Sequence, residues 1–412
     1  MKYTFNDQVV LSRPVEGPLA AQIGAFAESR SALGYSLGAT HRQVLLAACF
    51  SHWLKEKGVA LRQITTDHAS QYLRYRTRQA RPCLGDAAAL RHLIEFLRHE
   101  GVIAAERRSA RRLIPAERCA QAYSQYLRKA RGLASATIVN YLPFIRGFLT
   151  SCFGDGPVRL SRLSARDVMR FVQRQAPRLH LKRAKLLTSA LRSFLRYARY
   201  RGAVTLDLAA AVPVVANWSK PSIPRAIGTD EIRQLLASID RRTAMGRRDY
   251  AVLLLLARLG LRSGEVAFLE LDDLDWDAGV VSVRGKGGQR TALPLPADVG
   301  EAIAAYLSDG RPHSTSRRVF LRSKAPIRGF LSQCAIGSII RHALQRAGIQ
   351  APTTGAHQFR HALATQMLRQ GAALSEIGEI LRHRSPETTK IYTKVDVEAL
   401  RTLALPWPGG AR

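Results

Sequence analysis

The segment Gly355-Ala356-His357-Gln358-Phe359-Arg360-His361 brings two imidazoles and a guanidinium close together. On a helix, positions 357, 360 and 361 share one face, because side chains three and four residues apart are neighbours. With Ala364 and Leu368 beneath it the face is half-buried, and an arginine there is costly unless it meets an anion. A solvated basic helix is the alternative. Upstream, Leu259-Gly260-Leu261-Arg262-Ser263-Gly264-Glu265-Val266 sets Arg262 at a glycine-flanked turn beside the core, where an internal pair with Glu265 is the simpler reading. Lys286 sits in the tight loop Gly285-Lys286-Gly287-Gly288, whose glycines let the backbone turn and project the lysine. The spacing of a phosphate-cradling loop, G-x-x-x-x-G-K-[ST], is absent there. Finally, Leu381-Arg382-His383-Arg384-Ser385-Pro386 leads to Tyr392. Ser385 as N-cap and Pro386 at the first helical position predict a short helix carrying that phenol.

The elements that must hold these side chains follow from periodicity. Thr229-Asp230-Glu231 opens a helix with a cap and acids in its first turn. Asp249 to Leu259 reads as a buried helix, with Asp249 near its start. Val280 to Val283 reads as a strand, Gly285 to Gly288 as a hairpin loop and Thr291 to Leu295 as its return. Beyond Pro296 the pattern is helical to about Leu405.

Residues 1 to about 205 read as helical, with apolar residues at three- and four-residue spacing, as in Val44, Leu45, Ala48, Trp53 and Leu54. An internal repeat lies within them. Leu90 to Arg98, closed by Gly101-Val102-Ile103, aligns without gaps on Leu191 to Arg199, closed by Gly202-Ala203-Val204. Upstream, Ile64-Thr65 with Tyr72-Leu73 matches Leu163-Ser164 with Phe171-Val172, and Ala39-Thr40 matches Ala136-Thr137 as a helix start. These matches predict two copies of one helical domain, roughly 15–108 and 112–208. Thr65 and Ser164 are the expected N-caps, and Gly101 and Gly202 the expected C′ residues. Pro213, Pro221 and Pro224 break any helix in the linker that follows. The expected boundaries are 1–110, 111–210, a linker at 211–225, and 226–412.

Both copies are rich in arginine. Arg74, Arg76, Arg78 and Arg81 stand beside Tyr72 and Tyr75, and Arg192, Arg196, Arg199 and Arg201 interleave with Tyr197 and Tyr200. Any one of them reads equally as a solvated face or a phosphate contact; the set favours contact with a phosphate backbone. The whole chain carries 52 arginines, 11 lysines and only 31 acids, for a net charge of +32. Such a balance points to a polyanion, nucleic acid before an anionic membrane. No apolar run approaches the ~20 residues of a membrane span. The five scattered cysteines lack a C-x-x-C pair, so neither a disulfide framework nor a zinc site is expected, and a reducing cytoplasm is the expected compartment.

The ordered set Arg262, Lys286, His357-x-x-Arg360, His383 and Tyr392 resembles the catalytic signature of the tyrosine recombinase (phage integrase) family, in its Xer-like and transposon-integrase branch. The match covers roughly residues 225–400. The resemblance implies a mainly α fold: two small SAM-like helical bundles that bind DNA, then an α+β catalytic domain with a small antiparallel sheet. The second bundle resembles the family's core-binding domain. Two departures stand out: Arg382 replaces the usual glycine before His383, and Phe359 replaces the commoner leucine. If that glycine serves a left-handed turn, Arg382 strains it.

The resemblance also implies a chemistry. Two arginines grip the non-bridging oxygens of a phosphodiester, and the grip strengthens as charge builds in the transition state. Tyr392, with a free pKa of ~10, becomes a nucleophile once positioned and relieved of its proton. His357 is the expected base, Lys286 the acid for the leaving 5′-oxygen, and His383 a phosphate contact. His361 is the more structural of the two histidines. A 3′-phosphotyrosyl intermediate stores the bond energy, so neither cofactor nor metal is expected. The expected partners are double-stranded DNA, three further copies in a homotetramer on synapsed DNA, and other recombinases; no membrane is expected. Val395, Val397, Leu400, Leu403 and Leu405 are expected to form a tail acting between subunits. Movement of a mobile element is the expected role, with dimer resolution or type IB topoisomerase-like relaxation as alternatives.

Overall fold

The computed structural model describes residues 3–5, 9–11, 15–79, 83, 85–104, 113–215, 226–285, 288–351, 353–383 and 385–395. The fold is mainly helical with a small antiparallel sheet, as the sequence predicts. The chain divides into two compact units: Met1–Glu106 together with Ile223–Arg412, and Arg107–Ser222.

The first unit opens on a hairpin of β1 (Tyr3–Phe5) and β2 (Val9–Leu11), pairing Tyr3 with Leu11 and Phe5 with Val9. Three residues per strand are too few for alternation to show in the sequence. Helices α1 (Ile23–Ala32), α2 (Leu37–Glu56), α3 (Thr66–Gln79) and α4 (Asp86–His99) then enclose a core that includes Phe26, Phe50 and Leu97. The Arg107–Ser222 unit is built from α5 (Pro115–Lys129), α6 (Ser135–Phe153), α7 (Ala165–Gln175) and α8 (Leu181–Tyr200) around Tyr123, Phe148 and Phe194.

The repeated sequence does the same work in both places. Leu90, Leu93, Ile94 and Leu97 form the buried stripe of α4; Leu191, Phe194, Leu195 and Ala198 form that of α8. Each helix ends beside a glycine at φ +67, Gly101 and Gly202, where a left-handed residue closes the last turn. Ser164 caps α7, accepting from Asp167 N at 3.4 Å while its own N–H donates to the Asp167 carboxylate at 3.0 Å. The expected start at Ala39-Thr40 falls inside a helix instead: α2 begins after Ser36, and Thr40 is buried. Several arginines are already engaged. Arg76 pairs with Asp86 at 3.1 Å, Arg192 donates to the carbonyls of Val212 and Pro213, and Arg199 meets Asp207 at 3.3 Å. Arg81 lies outside the described residues.

The rest of the first unit begins with α9 (Thr229–Ala237) and α10 (Ala244–Leu259). Helix α10 starts well before Asp249, because Thr243 Oγ1 caps it by accepting from Gly246 N at 3.0 Å. Asp249 instead forms a buried pair with Arg248 at 2.7 Å. Next come α11 (Ser263–Ala267), β3 (Leu274–Asp275), β4 (Val280–Arg284) and β5 (Arg290–Pro294). The sheet is antiparallel in the order β3-β4-β5, with Arg284 opposite Arg290 at the mouth of the hairpin. The two-residue β3 was not anticipated.

Helices α12 (Ala297–Asp309), α13 (Cys334–Ala347), α14 (His357–Arg369), α15 (Leu374–Ile380) and α16 (Pro386–Thr389) complete the described fold, with a 3-10 turn at Lys390–Val395. The expected helix from Pro296 onward is therefore interrupted. Residues 310–333 are irregular, held by bridges from Glu270 to Arg318 and from Leu321 to Gly329. Gly310, Pro312, Pro326 and Gly329 account for the break. Within this same unit, Ile327 N donates to Leu33 O at 2.8 Å, so the irregular segment meets the end of α1. Among the described residues no helix is long and apolar enough to cross a membrane.

Helix α10 is apolar almost all round, with Leu253, Leu255 and Leu256 wholly buried. It ends at Gly260, φ +55, and a Cβ there would stand 3.0 Å from both Leu363 and Leu381. Gly260→Ala should therefore destabilise the protein by at least about 1 kcal/mol. Urea unfolding would show a lower midpoint with an unchanged slope.

Candidate active site

Arg262 caps α11, and Glu265 lies one turn further on. The guanidinium of Arg262 donates to Glu265 Oε1 at 2.7 Å, and its backbone N–H donates to Oε2 at 2.9 Å. The internal pair weighed from the sequence thus exists, yet Arg262 remains about one-third exposed. Its second terminal nitrogen donates to the carbonyl of Arg382 at 3.2 Å. Glu265 is buried and accepts a further bond, 2.8 Å, from the guanidinium of Arg382. One carboxylate therefore joins two arginines that stand 120 residues apart.

Arg360 projects from α14 and is 2% exposed. One terminal nitrogen donates to Gly260 O at 2.7 Å; the other, Nη2, has no partner among the described residues. Burial, with Arg262 and Arg382 alongside, pulls its pKa down to about 10, so it stays charged at neutral pH. The expectation that this helix face is half-buried and short of an anion describes Arg360 well. Arg262, His357 and Arg360 line one cleft of about 350 Å³, together with Gln333 and Gly355.

The phenol of Tyr392 is 1% exposed and packs with Ile377, Leu381 and Ala364. Its oxygen lies 3.0 Å from His361 Nδ1. His361 is thus the histidine touching the phenol. His357, a turn earlier on the same face, is exposed and stacks on His361 at 5.8 Å. A sequence cannot show which histidine a phenol 31 positions later will return to. His383 stacks parallel to Tyr392 at 6.3 Å and shares a hydrogen bond with Thr389 Oγ1 at 2.8 Å. Burial pushes the Tyr392 phenol up to about 12, partly opposed by Arg360. Burial, then the charges of Arg360 and Arg262, drive His383 down to about 4, and His361 is lowered by burial and by His357. Both imidazoles are therefore neutral at pH 7, and a neutral ring nitrogen can accept a proton.

Lys286 lies outside the described residues, as do the side chains of the tail from Val395 through Val397, Leu400 and Leu403 to Leu405. The ends of the lysine hairpin are described. Arg284 pairs with Glu270 and stands 3.6 Å from buried Asp273, and Arg290 stands 3.9 Å from the same carboxylate. Both strands are thus tied down on either side of the lysine loop.

Comparison with known proteins gives the class. A model described as "Phage integrase family" matches residues 225–399, and one described as "Phage integrase, N-terminal SAM-like domain" matches residues 120–202. The chain belongs to this family, the tyrosine recombinases, which cleave and rejoin DNA. A putative integrase/recombinase of Sinorhizobium fredii, y4rA, is 58% identical over the full length of both chains. Tyrosine recombinase XerD of Mycobacterium tuberculosis is 33% identical over 70% of this chain and 96% of its own. Among solved structures, XerH recombinase bound to a palindromic difH substrate after cleavage shares the fold: TM-score 0.54, 20% identity, covering 69% of this chain and 83% of that one.

The two depressed histidines set an acid limit. An unfolded histidine titrates near 6.5, so below that pH the unfolded chain binds protons that the folded chain refuses. The stability His383 contributes is complete above about pH 6.5 and is lost as the pH falls toward 4, and the lowered pKa of His361 acts in the same direction. Thermal melting between pH 7.5 and 4.5 should show a falling midpoint, and His383→Asn should flatten that fall. An equally steep fall in the variant would show that other groups cause it.

Proposed function

We propose that this protein is a site-specific recombinase or integrase whose Tyr392 attacks the scissile phosphate, forms a 3′-phosphotyrosyl bond and releases a 5′-hydroxyl. The observation that carries the reading is the phenol held against His361 while Arg262, Arg360 and His383 gather beside it. Arg262 and Arg360 take the non-bridging oxygens, and the partnerless Nη2 of Arg360 gains an acceptor when phosphate arrives. His383 hydrogen-bonds the phosphate. His361 takes the phenol proton first, and His357, nearer the surface, serves the phosphate or passes the proton outward. Lys286 protonates the leaving 5′-oxygen.

The phenol's raised pKa decides the order of events. Held at about 12, it is ionised in roughly one molecule in 10⁵ at pH 7, so proton removal accompanies attack. Arginines that strengthen their grip on the charged transition state supply the drive. Each protomer has one such tyrosine, and exchanging two duplexes requires four cuts, so the working form is a homotetramer on synapsed DNA. Movement of a mobile element in the cytoplasm is the role we assign, supported by the full-length similarity to a putative integrase/recombinase.

Tyr392→Phe should abolish covalent capture of a nicked suicide duplex and leave DNA binding nearly intact, because one oxygen is lost and no charge changes. An adduct on a denaturing gel with the variant would remove Tyr392 from its role. Lys286→Ala should slow cleavage far more than binding, and a 5′-bridging phosphorothiolate should restore it, since sulfur leaves without a proton. A failure of that substrate to restore cleavage would make Lys286 a phosphate contact. Relaxation of a supercoiled plasmid lacking any specific site would favour topoisomerase activity instead.

A further inference from the structure

Arg382 is the residue of this site that neither the arginine grip nor the proton path uses. Among the described residues it is the one non-glycine with a positive φ, +54. A side chain in that region is strained, which a glycine would avoid. The backbone is tied on both sides of the residue: Arg382 N donates to Glu379 O at 2.9 Å, and His383 N to Gly378 O at 2.8 Å.

What the strained residue gains is contact with Arg262 by two routes. Its carbonyl accepts from Arg262 Nη2 at 3.2 Å, and its guanidinium donates to Glu265 Oε2 at 2.8 Å. Glu265 in turn holds Arg262 through Oε1 at 2.7 Å. The result is a closed ring from Arg262 to Glu265, to the Arg382 side chain, to the Arg382 carbonyl and back. Glycine at 382 would keep the carbonyl contact and lose the other half of the ring. The Arg382 side chain is 10% exposed, and its Nε and Nη1 have no partner among the described residues. A buried guanidinium with spare donors is expensive in a merely structural role.

We propose that Arg382 is a positioning residue for DNA cleavage: through Glu265 it fixes the Arg262 guanidinium against the turn that carries His383. This rests on the phosphotyrosyl reading above. The ring sets the distance between a phosphate-gripping arginine from α11 and the histidine that follows α15. It also raises the number of guanidinium groups around Glu265 from two, Arg262 and Arg360, to three. When the Arg382 side chain is removed, Glu265 loses its tie to the turn before His383, and Arg262 and that turn are held together by the Arg382 carbonyl contact alone.

The test uses full-length protein and the nicked suicide duplex on which the wild type forms its adduct. Arg382→Gly and Arg382→Lys are compared with wild type at a temperature where circular dichroism shows all three folded. Single-turnover cleavage by Arg382→Gly should fall on the order of 10- to 100-fold, the scale of small misplacements in a reacting site. Binding of the same duplex should change little. Arg382→Lys, which can still reach Glu265 with one donor, should fall between the two and serves alone if the glycine variant does not fold. A duplex with a neutral methylphosphonate at the cleavage position separates positioning from general damage. It needs less cationic grip, so the variant's deficit should shrink on it. Wild-type cleavage rates in both variants, or an equal deficit on both substrates, would overturn the proposal. If the wild type itself forms no adduct, the phosphotyrosyl reading falls first and this one with it.

Discussion

Three guanidinium groups, Arg262, Arg360 and Arg382, crowd around the site, and like charges repel. Two unit charges about 4 Å apart cost about 4 kcal/mol at an effective dielectric of 20. Glu265 makes the cluster tolerable. Its buried carboxylate pairs with Arg262 and Arg382 together, and the Gly260 carbonyl takes one edge of Arg360. The elements behind the site serve this arrangement. Apolar helix α10 ends in a left-handed glycine so that its last carbonyl faces Arg360, and α11 begins at once so that Arg262 and Glu265 share a turn. The compensation is incomplete, since three charges meet one carboxylate. That remainder is the charge that the proposed phosphate would meet.

The same dryness that strengthens the arginines quiets the tyrosine. Taking the phenol out of water raises its pKa, and taking the imidazoles out of water lowers theirs. The two shifts oppose proton transfer in the resting protein. A phosphate between the arginines changes the balance, because charge that forms on attack is met at once by groups already in place.

Much of this was legible in the residues and some was not. Helical spacing was enough to put His357, Arg360 and His361 on one face, and a glycine-flanked arginine followed by Glu265 was enough to suggest their pairing. The repeat was visible because Leu90 to Leu97 and Leu191 to Ala198 must bury equivalent stripes. Contacts that close over long separations were out of reach: the phenol on His361, and Arg382 on Glu265. In the sequence Arg382 stands out only as a misfit in a turn; where its side chain goes depends on packing. The irregular stretch 310–333 carries its breakers openly in Gly310, Pro312, Pro326 and Gly329, yet its flanking helices dominate the periodicity. Strands of two or three residues leave no period to read.

A phenol buried against Ile377 and Leu381, with its oxygen on His361, has a bearing on what happens after the proposed cut. On the phosphotyrosyl reading, an ester formed at that oxygen would start from a site already shielded from bulk water, which would slow its hydrolysis. The nucleophile that can arrive is one delivered in register by a DNA end. Exclusion of solvent would thus favour rejoining over loss of the strand, through apolar side chains whose part is only to pack around the phenol.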